Sequence, residues 1–150
     1  MCAATSRRIT ELKLSKVPQK LFFGIYIEKS SQGKIYHNKI IGNAKNEYNS
    51  GNGIQLWYSH DIEIEHNYVE KVRDGIYLEF SDNCIIRNNV SEQNLRYGLH
   101  FMFSNDDIYE GNVFEDNGAG VAVMFSKNIA CRCTLLMQHS IKVSITMDSL

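Results

Sequence analysis

A glycine recurs at Gly24, Gly53, Gly75, Gly98 and Gly120, spaced by 29, 22, 23 and 22 residues, and each opens the same short phrase. The next residue is Ile25, Ile54, Ile76, Leu99 or Val121, and two further on stand Ile27, Leu56, Leu78, Phe101 and Val123. Two places beyond those come Lys29, Tyr58, Phe80, Phe103 and Phe125, and then an unbroken serine column: Ser30, Ser59, Ser81, Ser104 and Ser126. Alternation with period two marks a strand with one buried face. It predicts inward side chains at the first, third and fifth places after each glycine.

The phrase continues. Five residues past each serine lie Ile35, Ile64, Ile86, Tyr109 and Cys131, followed three later by Asn38, Asn67, Asn89 and Asn112, with Thr134 in the fifth copy. A weaker asparagine column holds Asn43, Asn94 and Asn117, with Val72 out of line. A unit this short, with two or three strands and polar corners, cannot bury its apolar face alone. Stacked copies can, each strand pairing in parallel with its equivalent in the next copy. Buried Asn amides then hydrogen-bond along the stack, and Asn tolerates the left-handed backbone of tight corners. The expected fold is all-β: a right-handed parallel β-helix (solenoid) of about five coils, 22–23 residues per coil, right-handed by the usual crossover rule. Leucine-rich, ankyrin and TPR repeats need other frames and periods.

Three segments follow: an N-terminal cap over 1–20, repeats over 21–129, and a divergent stretch over 130–150 that lacks glycine and corner asparagine. That last stretch reads as a cap, or as a chain cut or shifted in frame, and the whole reads as a fragment of something longer. Lys45–Gly51 is a polar insertion that accounts for the one long spacing and belongs on a surface loop.

A chain of 150 residues with one proline and a formal charge of −1 suits one domain rich in turns. Its scattered Lys and Arg residues give no case for nucleic acid. Residues 1–20 carry basic side chains without a continuous apolar core, so neither a signal peptide nor a membrane anchor is read there, and no segment is apolar enough for direct membrane insertion. The cysteines do not frame a zinc site or a disulfide set: Cys84 falls in an apolar column, and Cys131-Arg132-Cys133 lacks a second pair.

The second and fourth places after each glycine should face outward. The second-place column is Tyr26, Gln55, Tyr77, His100 and Ala122; the fourth is Glu28, Trp57, Glu79, Met102 and Met124. With coils about 4.8 Å apart, His100, Met102 and Met124 are expected to converge on one outer patch, with Tyr77 and Glu79 one coil before. Met normally fills core gaps, so stacked outward methionines need another explanation. An imidazole and two thioethers form a soft, neutral donor set suited to Cu(I), labile enough to pass the ion on. These three are the candidate metal ligands; no catalytic residue is assigned.

The other polar groups have cheaper explanations. His37 and His66 precede corner asparagines and are expected to stack, while His60 and His139 have no companions. Asp61, Asp82, Asp106 and Asp107 suit turns. Asn89-Val90-Ser91 matches a glycosylation sequon, but Asn89 belongs to the corner column. A polysaccharide lyase or epimerase would need a base and acid such as Tyr77 and His100, with Arg87 or Arg96 near the sugar carboxylate; a carbohydrate-binding solenoid would use Trp57, Tyr58 and the tyrosine columns.

Four phrases carry a family resemblance: Gly53-Ile-Gln-Leu-Trp-Tyr-Ser59, Arg73-Asp-Gly-Ile-Tyr-Leu-Glu-Phe-Ser81, Leu95-Arg-Tyr-Gly-Leu-His-Phe-Met-Phe-Ser-Asn105 and Gly120-Val-Ala-Val-Met-Phe-Ser-Lys127-Asn128. Over about residues 21–129 the chain resembles the NosD-type nitrous-oxide reductase maturation proteins. The resemblance implies a periplasmic accessory protein, not an enzyme, that supports copper-centre assembly of nitrous-oxide reductase. Its implied partners are the membrane and ATPase subunits of an ABC transporter, the reductase and a copper chaperone. It carries the copper assignment onto His100, Met102 and Met124.

Overall fold

The computed structural model describes residues 2–4, 23–132, 135–137 and 143–146. Most of the expected cap over 1–20 lies outside them, as do Cys133, Thr134 and His139.

The glycine-led phrases form one parallel sheet of seven strands: Cys2–Ala4, Ile25–Glu28, Ile54–Trp57, Ile76–Glu79, Tyr97–Met102, Ala119–Met124 and Val143–Thr146. Ser31–Tyr36, His60–Glu65, Ile85–Arg87, Ile108–Glu110 and Ala130–Arg132 make a second sheet. Lys39–Ile41, Tyr68–Glu70, Val90–Glu92, Val113–Glu115 and Leu135–Met137 make the third. Every pairing is parallel and joins equivalent places of successive repeats, as in Ile25↔Ile54, Ile54↔Ile76, Leu99↔Ile76 and Leu99↔Val121. The architecture is an all-β parallel solenoid, with no helix among the described residues. Although the sequence frame decays after Asn128, three strands beyond it extend all three sheets in register.

The core is the stack of inward ladders. Ile25, Ile54, Ile76 and Leu99 are fully buried, as are Ile27, Leu56, Leu78 and Phe101, and Ile35, Ile64 and Ile86 fill the side below the second sheet. Each such side chain contributes about 1.5–3 kcal/mol by leaving water. Cys131, expected in that last column, is exposed at its end, and Cys84 is buried and unpaired.

The glycine frame reflects close approach. A methyl on Gly75 would sit 1.9 Å from Ser91 Oγ and 2.6 Å from Gly98 O, because the corner of the third sheet presses against the start of the first. Left-handed backbone falls instead on other corner residues, of which Gly111 is a glycine and the rest are not. One column is Lys29, Tyr58, Phe80, Phe103 and Phe125; another is Gln32, Asp61, Asn83, Asp106 and Asn128; a third includes His37, His66 and Asn88. The ladder asparagines are therefore not the left-handed residues. They follow them.

Two expectations about facing are corrected by this. A left-handed residue breaks the strand alternation, so the fifth place after glycine points outward: Tyr58, Phe103 and Phe125 are exposed, and their rings stack along the corner, Tyr58 on Phe80, Phe80 on Phe103 and Phe103 on Phe125 at 4.7–5.1 Å. The second place does lie on the outer side of its strand, but Gln55, Tyr77, His100 and Ala122 are buried there.

Serine and asparagine serve the corners where strand-to-strand bonding lapses. Ser30, Ser59 and Ser81 donate their backbone N–H to the next serine Oγ at 3.1–3.2 Å, and Ser59 and Ser81 Oγ donate back to the carbonyls of Trp57 and Glu79. Asn38, Asn67 and Asn89 each direct both backbone N–H and Nδ2 to the next Oδ1, at 2.9–3.0 Å. The second ladder runs from Asn94 to Asn117 and accepts from the Val72 N–H at 3.1 Å, so Val72 joins it by backbone alone.

Candidate functional site

The candidate site lies on the outer side of the seven-stranded sheet. Leu99 and Phe101 point into the core, so strand alternation places His100 and Met102 together on the opposite side. Met102 pairs in register with Met124, and His100 with Ala122. Both methionines are half-buried, while His100 is only 4% exposed. The three predicted residues thus share one side of two adjacent strands, the methionines half-buried and the histidine buried.

What covers the imidazole is a polar cluster built from residues just before the repeat glycines. Asp74, preceding Gly75, is fully buried, and Arg96 of the next repeat clasps it through Nε at 2.9 Å and through an Nη2 contact. His100 Nδ1 lies 3.4 Å from Asp74 Oδ2. Tyr77 and Tyr97 flank the ring, with centroids 4.7 and 4.8 Å away. Asn52 accepts from Arg73 Nε at 3.1 Å and donates to Gln55 Oε1 at 2.8 Å.

Burial alone would raise the Asp74 carboxyl, but the contacts from His100 and Arg96 outweigh it and hold it below the usual aspartate value. The Arg96 guanidinium is correspondingly raised by its hydrogen bond to Asp74. Tyr77 is pushed up, first by burial and then by the charges of Glu79 and Asp74. His100 Nε2 is buried without a hydrogen-bond partner among the described residues. Histidines that ligate a metal usually tie their other ring nitrogen to a carboxylate, carbonyl or water.

Among the described residues, no group of three or more His, Cys, Asp or Glu side chains could hold a metal ion. A metal at this place would therefore draw on thioethers. Glu79 is in register with Met102 and Trp57.

The remaining candidates are accounted for locally. His37 and His66 stack at 5.1 Å, His60 Nδ1 is 2.8 Å from Asp61 Oδ2, and Arg87 pairs with Glu63 and Glu65 on the second sheet, away from Tyr77 and His100. Asp107, expected in a turn, points inward: it is fully buried, accepts from the Cys84 N–H at 2.7 Å, and leaves Oδ2 unpartnered. The polar insertion is an exposed loop, with Tyr48 at 93% exposure. It forms a hollow with Leu95 and brings Glu47 within electrostatic reach of Arg96.

Sequence reasoning passed over Asp74, and it named Arg96 only as a possible partner of a sugar carboxylate. The available signal was their phase: Arg73 and Arg96 stand two places before a glycine, and Asp74 one place before, so Arg96 stacks beside the preceding repeat's carboxylate.

A family model described as periplasmic copper-binding protein (NosD) matches residues 37–146. No curated protein matches the chain. No helix of the described residues is long and apolar enough to cross a membrane.

Proposed function

Because the chain belongs to the NosD family, described as periplasmic copper-binding, we propose that it is a non-enzymatic scaffold that binds Cu(I) transiently at His100, Met102 and Met124 and hands it on. The observation that carries this reading is His100 Nε2: a buried nitrogen without a partner, on the same side of its strand as Met102. Copper is here the cargo. Two thioethers and a neutral imidazole match its softness without adding charge, and three ligands leave the ion open to an incoming donor. The half-buried methionines give an entry that suits a bare ion and excludes a polymer.

In the same reading, residues 21–129 form about five right-handed coils of 22–23 residues, and 1–20 and 130–150 are end segments. The protein acts in the periplasm with the membrane and ATPase subunits of an ABC transporter, receives copper from a chaperone, and supports copper-centre assembly of nitrous-oxide reductase during denitrification. Support for these partners is the family resemblance of the four phrases.

The carbohydrate alternatives are less favoured. A lyase needs His100 open to a polymer, and it is buried. A sugar-stacking surface needs free ring faces, but the corner rings face one another with interplanar angles of 4–14°, and Lys29 Nζ sits over Trp57 at 5.2 Å.

The test is anaerobic titration of the purified chain with Cu(I) against a chromophoric chelator. Met102→Leu with Met124→Leu is expected to weaken binding by roughly tenfold or more, or about 1.4 kcal/mol. Unchanged affinity in both this variant and His100→Ala overturns the assignment, and uronate-polymer turnover lost in His100→Ala would establish the lyase reading instead.

A further inference from the structure

We propose that Asp74 is the positioning residue of this site: clasped by Arg96, it fixes the His100 tautomer so that Nε2 is the nitrogen presented to the ion. The inference rests on the copper reading above and names a residue that reading does not contain.

The argument begins with donors and acceptors. Arg96 approaches Asp74 from the following repeat with Nε and Nη2, one on each carboxylate oxygen. A carboxylate so held is ionised and can only accept. His100 Nδ1, 3.4 Å from Asp74 Oδ2, is therefore the donor in that contact, and in the neutral ring this leaves the lone pair on Nε2. Nε2 is buried with no partner among the described residues, a costly state for a nitrogen with no further use.

Packing fixes the ring as well. Tyr77, on the preceding strand, lies against one side at 4.7 Å, and Tyr97, on the same strand, meets it edge-on at 4.8 Å. On the following strand the register partner is Ala122, a small side chain two residues before Met124. The carboxylate and the two tyrosines hold the imidazole, and its smallest neighbour lies on the strand of the second methionine.

An ion pair serving only to tie two repeats together would stabilise the fold without any preference between the ring nitrogens. The two roles separate experimentally. In the full chain without metal, nitrogen NMR of His100 is expected to show the Nδ1–H tautomer alone; a dominant Nε2–H form overturns the proposal without any variant. Asp74→Asn is expected to mix or invert the tautomers and to weaken Cu(I) binding about 10–100-fold in chelator competition, the usual effect of losing an outer carboxylate.

If Asp74→Asn folds by circular dichroism and binds Cu(I) like the parent while His100→Ala binds weakly, the positioning role is wrong and the copper site stands. If His100→Ala also binds like the parent, both fail. Should Asp74→Asn not fold, the tautomer of the parent protein decides.

Discussion

Asp107 shows how one residue can depart from its column. Its repeat neighbours are Ile62, Cys84 and Ile129, so the solenoid turns its carboxyl inward among apolar side chains. Burial pushes it up to about 8 from an ordinary 3.8, helped by the nearby charges of Asp82 and Asp106 and opposed by the Cys84 N–H. The direction of the pH effect follows from linkage. Below about pH 4 the carboxyl is neutral in both folded and unfolded chains. As the pH rises, the unfolded carboxyl ionises first while the folded one keeps its proton to about 8, so stability declines across that window and levels off above it. Asp107→Asn keeps an oxygen for the Cys84 N–H and removes the titration. The melting temperature of the variant relative to the parent is therefore expected to rise by several degrees between pH 4 and 8; a constant difference would show that Asp107 ionises normally. The sequence placed Asp107 in a turn because aspartate is common there, and only the stack shows which way that turn faces.

At the scale of the element, the ladders divide the labour. Isoleucine columns supply burial, which any apolar side chain of similar size would do. Asparagine columns supply hydrogen bonds that no other residue gives in the same geometry, since each Oδ1 accepts twice from the previous repeat while Nδ2 satisfies carbonyls. Asn89 Oδ1 takes the Asn67 N–H and Nδ2, and Asn89 Nδ2 reaches Ile64 O and Arg87 O. Asn89→Ala strands several buried groups at a cost of about 1–3 kcal/mol for each left unsatisfied. A loss of about 3 kcal/mol or more is expected in urea unfolding, against under 1.5 kcal/mol for Ile86→Val. Equal losses would mean that the amide ladder adds nothing beyond packing. The aromatic corner departs from the sequence expectation for a physical reason. Tyr58, Phe80, Phe103 and Phe125 are apolar and in phase with the strand, yet each takes left-handed φ near 50° and leaves it. Bulky residues rarely adopt that backbone, so nothing in their identity announces the turn; ring stacking with the neighbouring repeats offsets the strain.

Among the described residues, strand-to-strand contact is almost entirely between successive repeats, so energetic coupling should be short-ranged across the molecule. A double-mutant cycle on Asn67→Ala and Asn89→Ala, whose side chains meet where Asn67 Nδ2 donates to Asn89 Oδ1 at 3.0 Å, is expected to give an interaction energy of about 0.5–3 kcal/mol. The pair Ser59→Ala and Asn112→Ala shares no partner and should add within about 0.5 kcal/mol. Coupling of similar size in both cycles would contradict a nearest-neighbour solenoid. The sequence alone determined the repeat, its parallel register, the inward ladders and the columns that bring His100, Met102 and Met124 to one side, because a fixed period forces equivalent residues to stack. Tertiary structure alone decided depth and partnership: that His100 is buried rather than exposed, that Asp74 and Arg96 from different repeats close over it, and that the fifth-place aromatics turn outward. Those outcomes depend on backbone sign at single corner residues and on contacts between neighbouring repeats, and residue identity at those places states neither the sign nor the depth.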